Sequence, residues 1–236
     1  PSISELFISG VHFSCGRGCQ NLFVPNPNLK PEKAHNKEIG ISLFKDDLLT
    51  AGDAGRFRAS FFRNDVSDFI DRSVLFTFRP VPGNPGPGGV STSDNVSDAR
   101  LEGFEIEALY DAPRWFAGLA YARTRGEDED TGDPLSSVQP DAWIAQAGLR
   151  FPAQGIRLGW RGRFVDAQDR VPPGGEESDS YDVQDIWLSW DPVGSPLAGL
   201  GVDVGVDNLF DADYTPYLSA LQAPGRNIKV AVSYRF

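Results

Sequence analysis

Residues 11–33, VHFSCGRGCQNLFVPNPNLKPEK, gather the side chains of this protein most capable of chemistry: both of its cysteines and one of its two histidines. A neutral imidazole near pH 7 offers a nitrogen lone pair to a metal, and it serves proton transfer when an acid or serine lies within reach. His12 therefore reads as a candidate ligand, with a solvated surface histidine as the plain alternative. Cys15 and Cys19 are separated by Gly16, Arg17 and Gly18. Such a pair closes a small disulfide loop in an oxidising compartment, or forms half of a zinc site. No second cysteine pair or nearby histidine pair completes a zinc set, which favours the disulfide. The second histidine, His35 in EKAHNKEIG, stands at the start of an alternating run and reads as structural or solvated.

Nothing else in the chain forms a catalytic constellation. There is no serine in a nucleophile elbow, no HExxH and no phosphate loop, so no catalytic residue is predicted. The acidic runs GEDEDTGD (126–133) and GGEESDS (174–180) read as solvated surface or divalent-ion contact. A net charge of −11 at pH 7 argues against a nucleic-acid partner, which needs basic surface to displace counterions.

The elements that position His12 follow from hydrophobic periodicity. The dominant period is two, that of a strand, and no apolar stretch approaches the roughly 20 residues of a membrane-crossing helix. At the end of the chain Ile228, Val230, Val232, Tyr234 and Phe236 alternate with Asn227, Lys229, Ala231, Ser233 and Arg235. The same rhythm sets Ile156, Leu158, Trp160 and Phe164 against Arg157, Arg161 and Arg163, and Phe104, Ile106, Ala108 and Tyr110 against Glu105 and Glu107. It continues through Trp115 to Tyr121, Trp143 to Phe151 and Val202 to Val206.

Alternation alone also suits a soluble β-sandwich, and the connections decide between the two. Tight links near 50–54, 111–113, 152–155 and 191–197 alternate with long polar ones near 10–34, 80–97, 125–139, 166–180 and 211–225. Short turns on one side and long loops on the other describe an antiparallel transmembrane β-barrel. Aromatic residues near strand ends, Trp115, Tyr121, Trp143, Phe151, Trp190 and Tyr234 among them, suit its two interfacial girdles. The Pro/Gly-rich stretch 80–97 is predicted to be a mobile surface loop rather than a linker, because strands of one kind flank it. The chain begins at Pro1 and lacks methionine, so it is expected to be an internal or C-terminal piece of a longer protein.

Two sets of residues carry a family resemblance. Asp207-Asn-Leu-Phe-Asp211, Tyr214, Pro224-Gly-Arg-Asn227 and a last strand closing on Phe236 resemble the C-terminus of TonB-dependent outer-membrane receptors. Pro1-Ser-Ile-Ser-Glu-Leu-Phe7, His12, Asn26-Pro-Asn-Leu29 and Lys30-Pro-Glu32 are similar to the haem and haemoglobin receptors of that family, in which an FRAP and an NPNL box bracket a loop bearing an axial histidine. Pro1 stands where the last residue of the FRAP box would be.

The resemblance implies an all-β chain forming about the last ten strands of a barrel of roughly 22, without the plug domain or the first half of the barrel. It implies a receptor in the outer membrane of a Gram-negative bacterium, surrounded by lipid and working with the TonB complex through that plug. Haem or a haemoprotein would be the transported ligand, with no permanently bound cofactor. His12 would be the axial ligand to haem iron, the only metal expected. Asn26, Pro27, Asn28 and Leu29 would support its loop, and Cys15 and Cys19 would narrow the loop further if disulfide-bonded. A siderophore or other substrate is the alternative within the family. An outer-membrane barrel enzyme is the alternative from another class.

Overall fold

A computed structural model of the chain describes residues 1–15, 19–77, 88–95, 98–194, 196–219 and 221–235, with the strand residues 11–15, 19–21, 72–77 and 88–89 described for their backbone alone. In chain order the elements are α1 (Ile3–Phe7), β1 (Gly10–Cys15), β2 (Cys19–Phe23), β3 (Lys33–Asp46), β4 (Ala54–Ser67), β5 (Ile70–Thr77), β6 (Gly88–Asn95), β7 (Asp98–Asp111), β8 (Trp115–Asp128), β9 (Ala142–Phe151), β10 (Ile156–Val165), β11 (Tyr181–Trp190), β12 (Leu200–Asp207) and β13 (Asn227–Tyr234).

Nine of these strands form one open sheet, in the order β13-β12-β11-β10-β9-β8-β7-β4-β3, with every neighbouring pair antiparallel. The period-two pattern fixes its register, because a slip of one residue would turn every apolar side chain to the other face. Val230, Val204, Leu188, Leu158, Leu149 and Trp115 are successive partners from β13 to β8. Tyr121, Ile106, Ala59 and Ile41 continue an equivalent row from β8 to β3. Among the described residues no second sheet covers these rows, and Ile39, Val230 and Val232 are 73%, 65% and 68% exposed. In water such a face would be strongly unfavourable; against hydrocarbon it is the stable choice.

Aromatic residues border the band at both ends. Phe104, Tyr121 and Trp143 form a row at the long-loop end, with ring centroids 5.5 and 4.3 Å apart. Tyr110 and Trp115 pair at 4.6 Å at the turn end. The eight steps from Trp143 to Phe151 span about 27 Å along the strand at ~3.4 Å per residue, or about 21 Å of height at a tilt of roughly 40°, most of the ~25 Å apolar band of a membrane barrel. The opposite face carries the charge, with Arg56, Arg58, Glu105, Glu107, Arg161, Asp185 and Lys229 on β4, β7, β10, β11 and β13.

Connections alternate as the sequence predicts, with segments 47–53, 112–114, 152–155 and 191–199 at one end and 24–32, 68–97, 129–141, 166–180 and 208–226 at the other. Two expectations change. The long connection predicted over 10–34 contains the paired strands β1 and β2, and just before it residues 3–7 are helical, because Ser2 accepts the Glu5 N–H while the Glu5 carboxylate accepts the Ser2 N–H, a complete capping box. Part of the loop predicted over 80–97 is strand: β6 pairs with β5, and β2 joins β6 in parallel, giving a second sheet of order β1-β2-β6-β5 at the long-loop end. Residues 80–87 and 96–97 of that stretch lie outside the described residues.

Candidate functional site at the long-loop mouth

His12 lies on β1, the first strand of the second sheet, with Asn21 of β2 as its backbone partner. The hairpin is therefore at the long-loop end of the molecule. Cys15 and Cys19 face each other as the last backbone pair of the same hairpin. The side chains of His12, Cys15 and Cys19 lie outside the described ones, as do residues 16–18. His35 stands apart from them, exposed on β3 opposite Asp65.

The NPNL segment ties this hairpin to the neighbouring long connection. Asn28 donates its backbone N–H to Asn26 Oδ1 at 3.2 Å, which closes a turn over Pro27. The Asn26 amide donates to the Ser93 carbonyl and to Asp94 Oδ1, both at 3.0 Å. Leu29 is buried, and Lys30 N–H donates to Asn95 Oδ1 at 2.7 Å. Asn95 returns its amide to the carbonyls of Lys30 and Asp68, and Glu32 accepts the Ile70 N–H at 2.9 Å. In the described structure these residues act as a clamp between loops.

The other long loops are braced in turn. Ser136 donates to Asp71 and accepts at its carbonyl the Tyr217 hydroxyl at 2.7 Å, linking loops 68–97, 129–141 and 208–226. Buried Gln168 donates to the Val138 carbonyl at 2.6 Å, and Leu135 and Val138 pack on Ala99 as a small core. Asp141 takes both ends of the Arg125 guanidinium and the Tyr121 hydroxyl. Its burial raises the pKa, but the hydrogen bonds from Arg125 and Tyr121 outweigh that and hold the carboxyl below its ordinary value.

On the inward face below these loops lies a cleft of about 510 Å³, lined by Ile144, Arg161, Arg163, Tyr214, Asn227 and Lys229 among others. Its loop wall is set by Asn208 of the DNLFD segment. Asn208 is buried with φ +50°, donates its amide to the Ala212 and Pro224 carbonyls, and accepts the Ala212 N–H. Tyr214 stacks on Tyr181 at 4.4 Å and accepts a hydrogen bond from Arg163 Nη2 at 3.0 Å. The sequence displays Arg161 and Arg163 as an inward basic row. It does not reveal Tyr181 and Tyr214 as their neighbours, because that juxtaposition depends on the β10–β11 register and on the path of a loop.

Comparison with known proteins places this architecture. The family described as TonB dependent receptor-like, beta-barrel matches residues 1–209. The chain is 34% identical over its whole length to the Heme/hemopexin utilization protein C of Haemophilus influenzae, covering 34% of that protein. It is likewise 34% identical to the Hemin receptor of Yersinia enterocolitica, covering all of this chain and 35% of that one. It thus spans about a third of the length of these relatives. Among solved structures, a double mutant of the Serratia marcescens hemophore receptor HasR, in complex with its hemophore HasA and heme, superposes on the whole chain with a TM-score of 0.69 at 23% identity and 35% coverage of HasR. The copper transporter OprC gives the same TM-score at 22% identity, over 89% of this chain and 32% of that one, so the structural likeness is one of fold. An open nine-stranded antiparallel wall with an apolar outer face, long loops at one end and a matching barrel family lead to one conclusion: the chain belongs to the TonB-dependent receptor β-barrel family.

Proposed function

We propose that this chain forms part of the barrel wall and the ligand-capturing mouth of an outer-membrane receptor for haem or a haemoprotein in a Gram-negative bacterium. The observation that carries this reading is 34% identity along the full chain to proteins named for haem, haemopexin and haemin. The relatives are named as receptors and utilisation proteins, which supports capture and transport rather than enzymatic turnover. His12 is the proposed axial ligand to haem iron, and its hairpin, clamped by the NPNL residues at the long-loop end, suits a ligand presented to the exterior. Haem is then cargo, and energy for its passage would come from the TonB complex through a plug domain supplied by the rest of the receptor. The outward apolar band is the part that would meet lipid.

The test is growth. The intact receptor, expressed in a TonB-competent strain lacking its own haem receptors, is expected to support growth on haemin as sole iron source. Growth on a ferric siderophore, with none on haemin, would overturn the reading in favour of another iron carrier.

A further inference from the structure

Four cations point inward from strands β10 to β13: Arg157, Arg161, Arg163 and Lys229. Three are neutralised. Arg157 meets Asp191 at 3.0 Å, Arg161 meets Asp185 at 2.7 Å, and Lys229 pairs with Asp207. Arg163 has no carboxylate within ion-pair distance among the described residues, and its polar contact is the Tyr214 hydroxyl. The guanidinium carbon lies 5.7 Å from the centroid of the Tyr181 ring and 5.8 Å from that of Tyr214. The aromatic rings stabilise and aim the cation but leave its donor fork without an anion. The cleft lining holds three cations, Arg161, Arg163 and Lys229, against two carboxylates, Asp185 and Asp207. One positive charge is left over in a chain whose net charge is −11.

A guanidinium fork matches a carboxylate in two parallel hydrogen bonds, and a stacked tyrosine pair beside it offers a flat apolar surface. The cleft opens at the long-loop end of the inward face, where a ligand coming from the loops would first meet the wall. We infer that Arg163, flanked by Tyr181 and Tyr214, receives the carboxylate of a planar ligand. This rests on the haem reading, under which the carboxylate is a haem propionate. Tyr214 is then a positioning residue: its hydroxyl holds the guanidinium, and its loop is fixed by Asn208.

The experiment compares haemin with haemin dimethyl ester, in which both propionates are neutral, on the detergent-solubilised intact receptor. Arg163→Gln is expected to weaken haemin binding about tenfold or more while leaving ester binding as in wild type, because only the free acid has a charge to lose. Tyr214→Phe should give a smaller loss of the same selectivity, and Arg163→Lys should recover part of the affinity. The Soret position should stay that of wild type in all three, since the iron is held elsewhere. Equal losses for haemin and ester would show a structural role and overturn the inference, as would unchanged haemin affinity; both leave the haem reading standing. A wild-type receptor that binds neither compound would overturn both.

Discussion

The Asn26 side-chain amide donates to the Asp94 carboxylate at 3.0 Å and thereby fastens the segment that follows the His12 hairpin to the connection between β4 and β7. The Ser93 carbonyl accepts from the same amide, so Asn26→Ala removes two hydrogen bonds at once and leaves Asp94 with one donor fewer. Each such bond contributes roughly 1 kcal/mol, more where the partner is charged, and the loss should total about 1–3 kcal/mol of loop docking. Hydrogen exchange in the intact receptor should rise in residues 19–30 and 88–95 together, with the strands of the main sheet unchanged. A rise confined to one of the two segments would show that Asn26 does not couple them.

Much of this architecture is legible in the sequence because a half-buried strand writes its two faces into alternate residues. Val202, Val204 and Val206 against Asp203 and Asp207 reveal both a strand and the environment of each side, and the lengths of the connections reveal which end is which. The helix at Ile3–Phe7 is equally legible in the Ser2-Ile-Ser-Glu5 spacing of a capping box. Strand β6 was not legible. Its sequence GGVSTSDN has no apolar alternation, and β2 and β5 hold it through backbone pairing that any composition can supply. The Arg163 cleft was hidden for a different reason: Tyr181 and Tyr214 are 18 and 51 positions from Arg163 in the sequence and meet it only through register and loop path.

The outward band makes a sharp comparison between neighbouring residues. Leu119 lies on the apolar face of β8 between the border residues Trp115 and Tyr121, and Ala120 points inward. Leu119→Arg should cost about 2–4 kcal/mol near the bilayer midplane, whereas Ala120→Arg enters a polar lumen beside Glu107 and should cost far less. Heat-modified mobility of the folded barrel, measured after assembly in lipid vesicles, reads the difference. Equal tolerance of the two substitutions would contradict the assignment of faces.

Turn 47–53 carries a pH-dependent lock. Asp53 is buried at 2% exposure and accepts from the backbone N–H groups of Leu48, Leu49 and Thr50, the Thr50 hydroxyl and, at 2.5 Å, the Tyr110 hydroxyl. Burial raises its pKa, but the bonds from Tyr110 and Thr50 outweigh this and hold it well below the usual carboxylate range. A lowered native pKa gives stability that is complete above the unfolded value near 3.9 and is lost as pH falls below it toward the native value. Pepsin should therefore spare the Leu48-Leu49 bond at pH 4.5 and cut it progressively toward pH 2. Asp53→Asn, lacking the charge and most of the acceptor capacity, should be cut already at pH 4.5. Identical cleavage of both proteins across this range would show that Asp53 does not hold the turn.

Cys15 and Cys19 are expected to form a disulfide in receptor recovered from the outer membrane. Directly opposed residues of an antiparallel pair have Cα atoms about 4.5–5.5 Å apart, inside the range a disulfide spans. Thiol titration under native conditions should find both cysteines blocked, and reduction should release them together. Two reactive thiols before reduction, or one zinc ion bound per receptor, would refute the bond.

His12 and His35 separate ligation from mere proximity to the mouth. Both lie at the long-loop end, His12 on the clamped hairpin and His35 on β3 opposite Asp65. An axial imidazole shifts the Soret band of bound haem and strengthens its binding, and a histidine on the outward face of the wall does neither. In the intact receptor, His12→Ala should therefore displace the Soret band and lower haemin affinity by about tenfold or more, with His35→Ala close to wild type. Because His12→Ala leaves the NPNL clamp in place, hydrogen exchange in residues 24–32 should remain as in wild type, which separates lost ligation from a disordered loop. An unshifted Soret band with unchanged affinity in His12→Ala would remove the ligand role from this histidine.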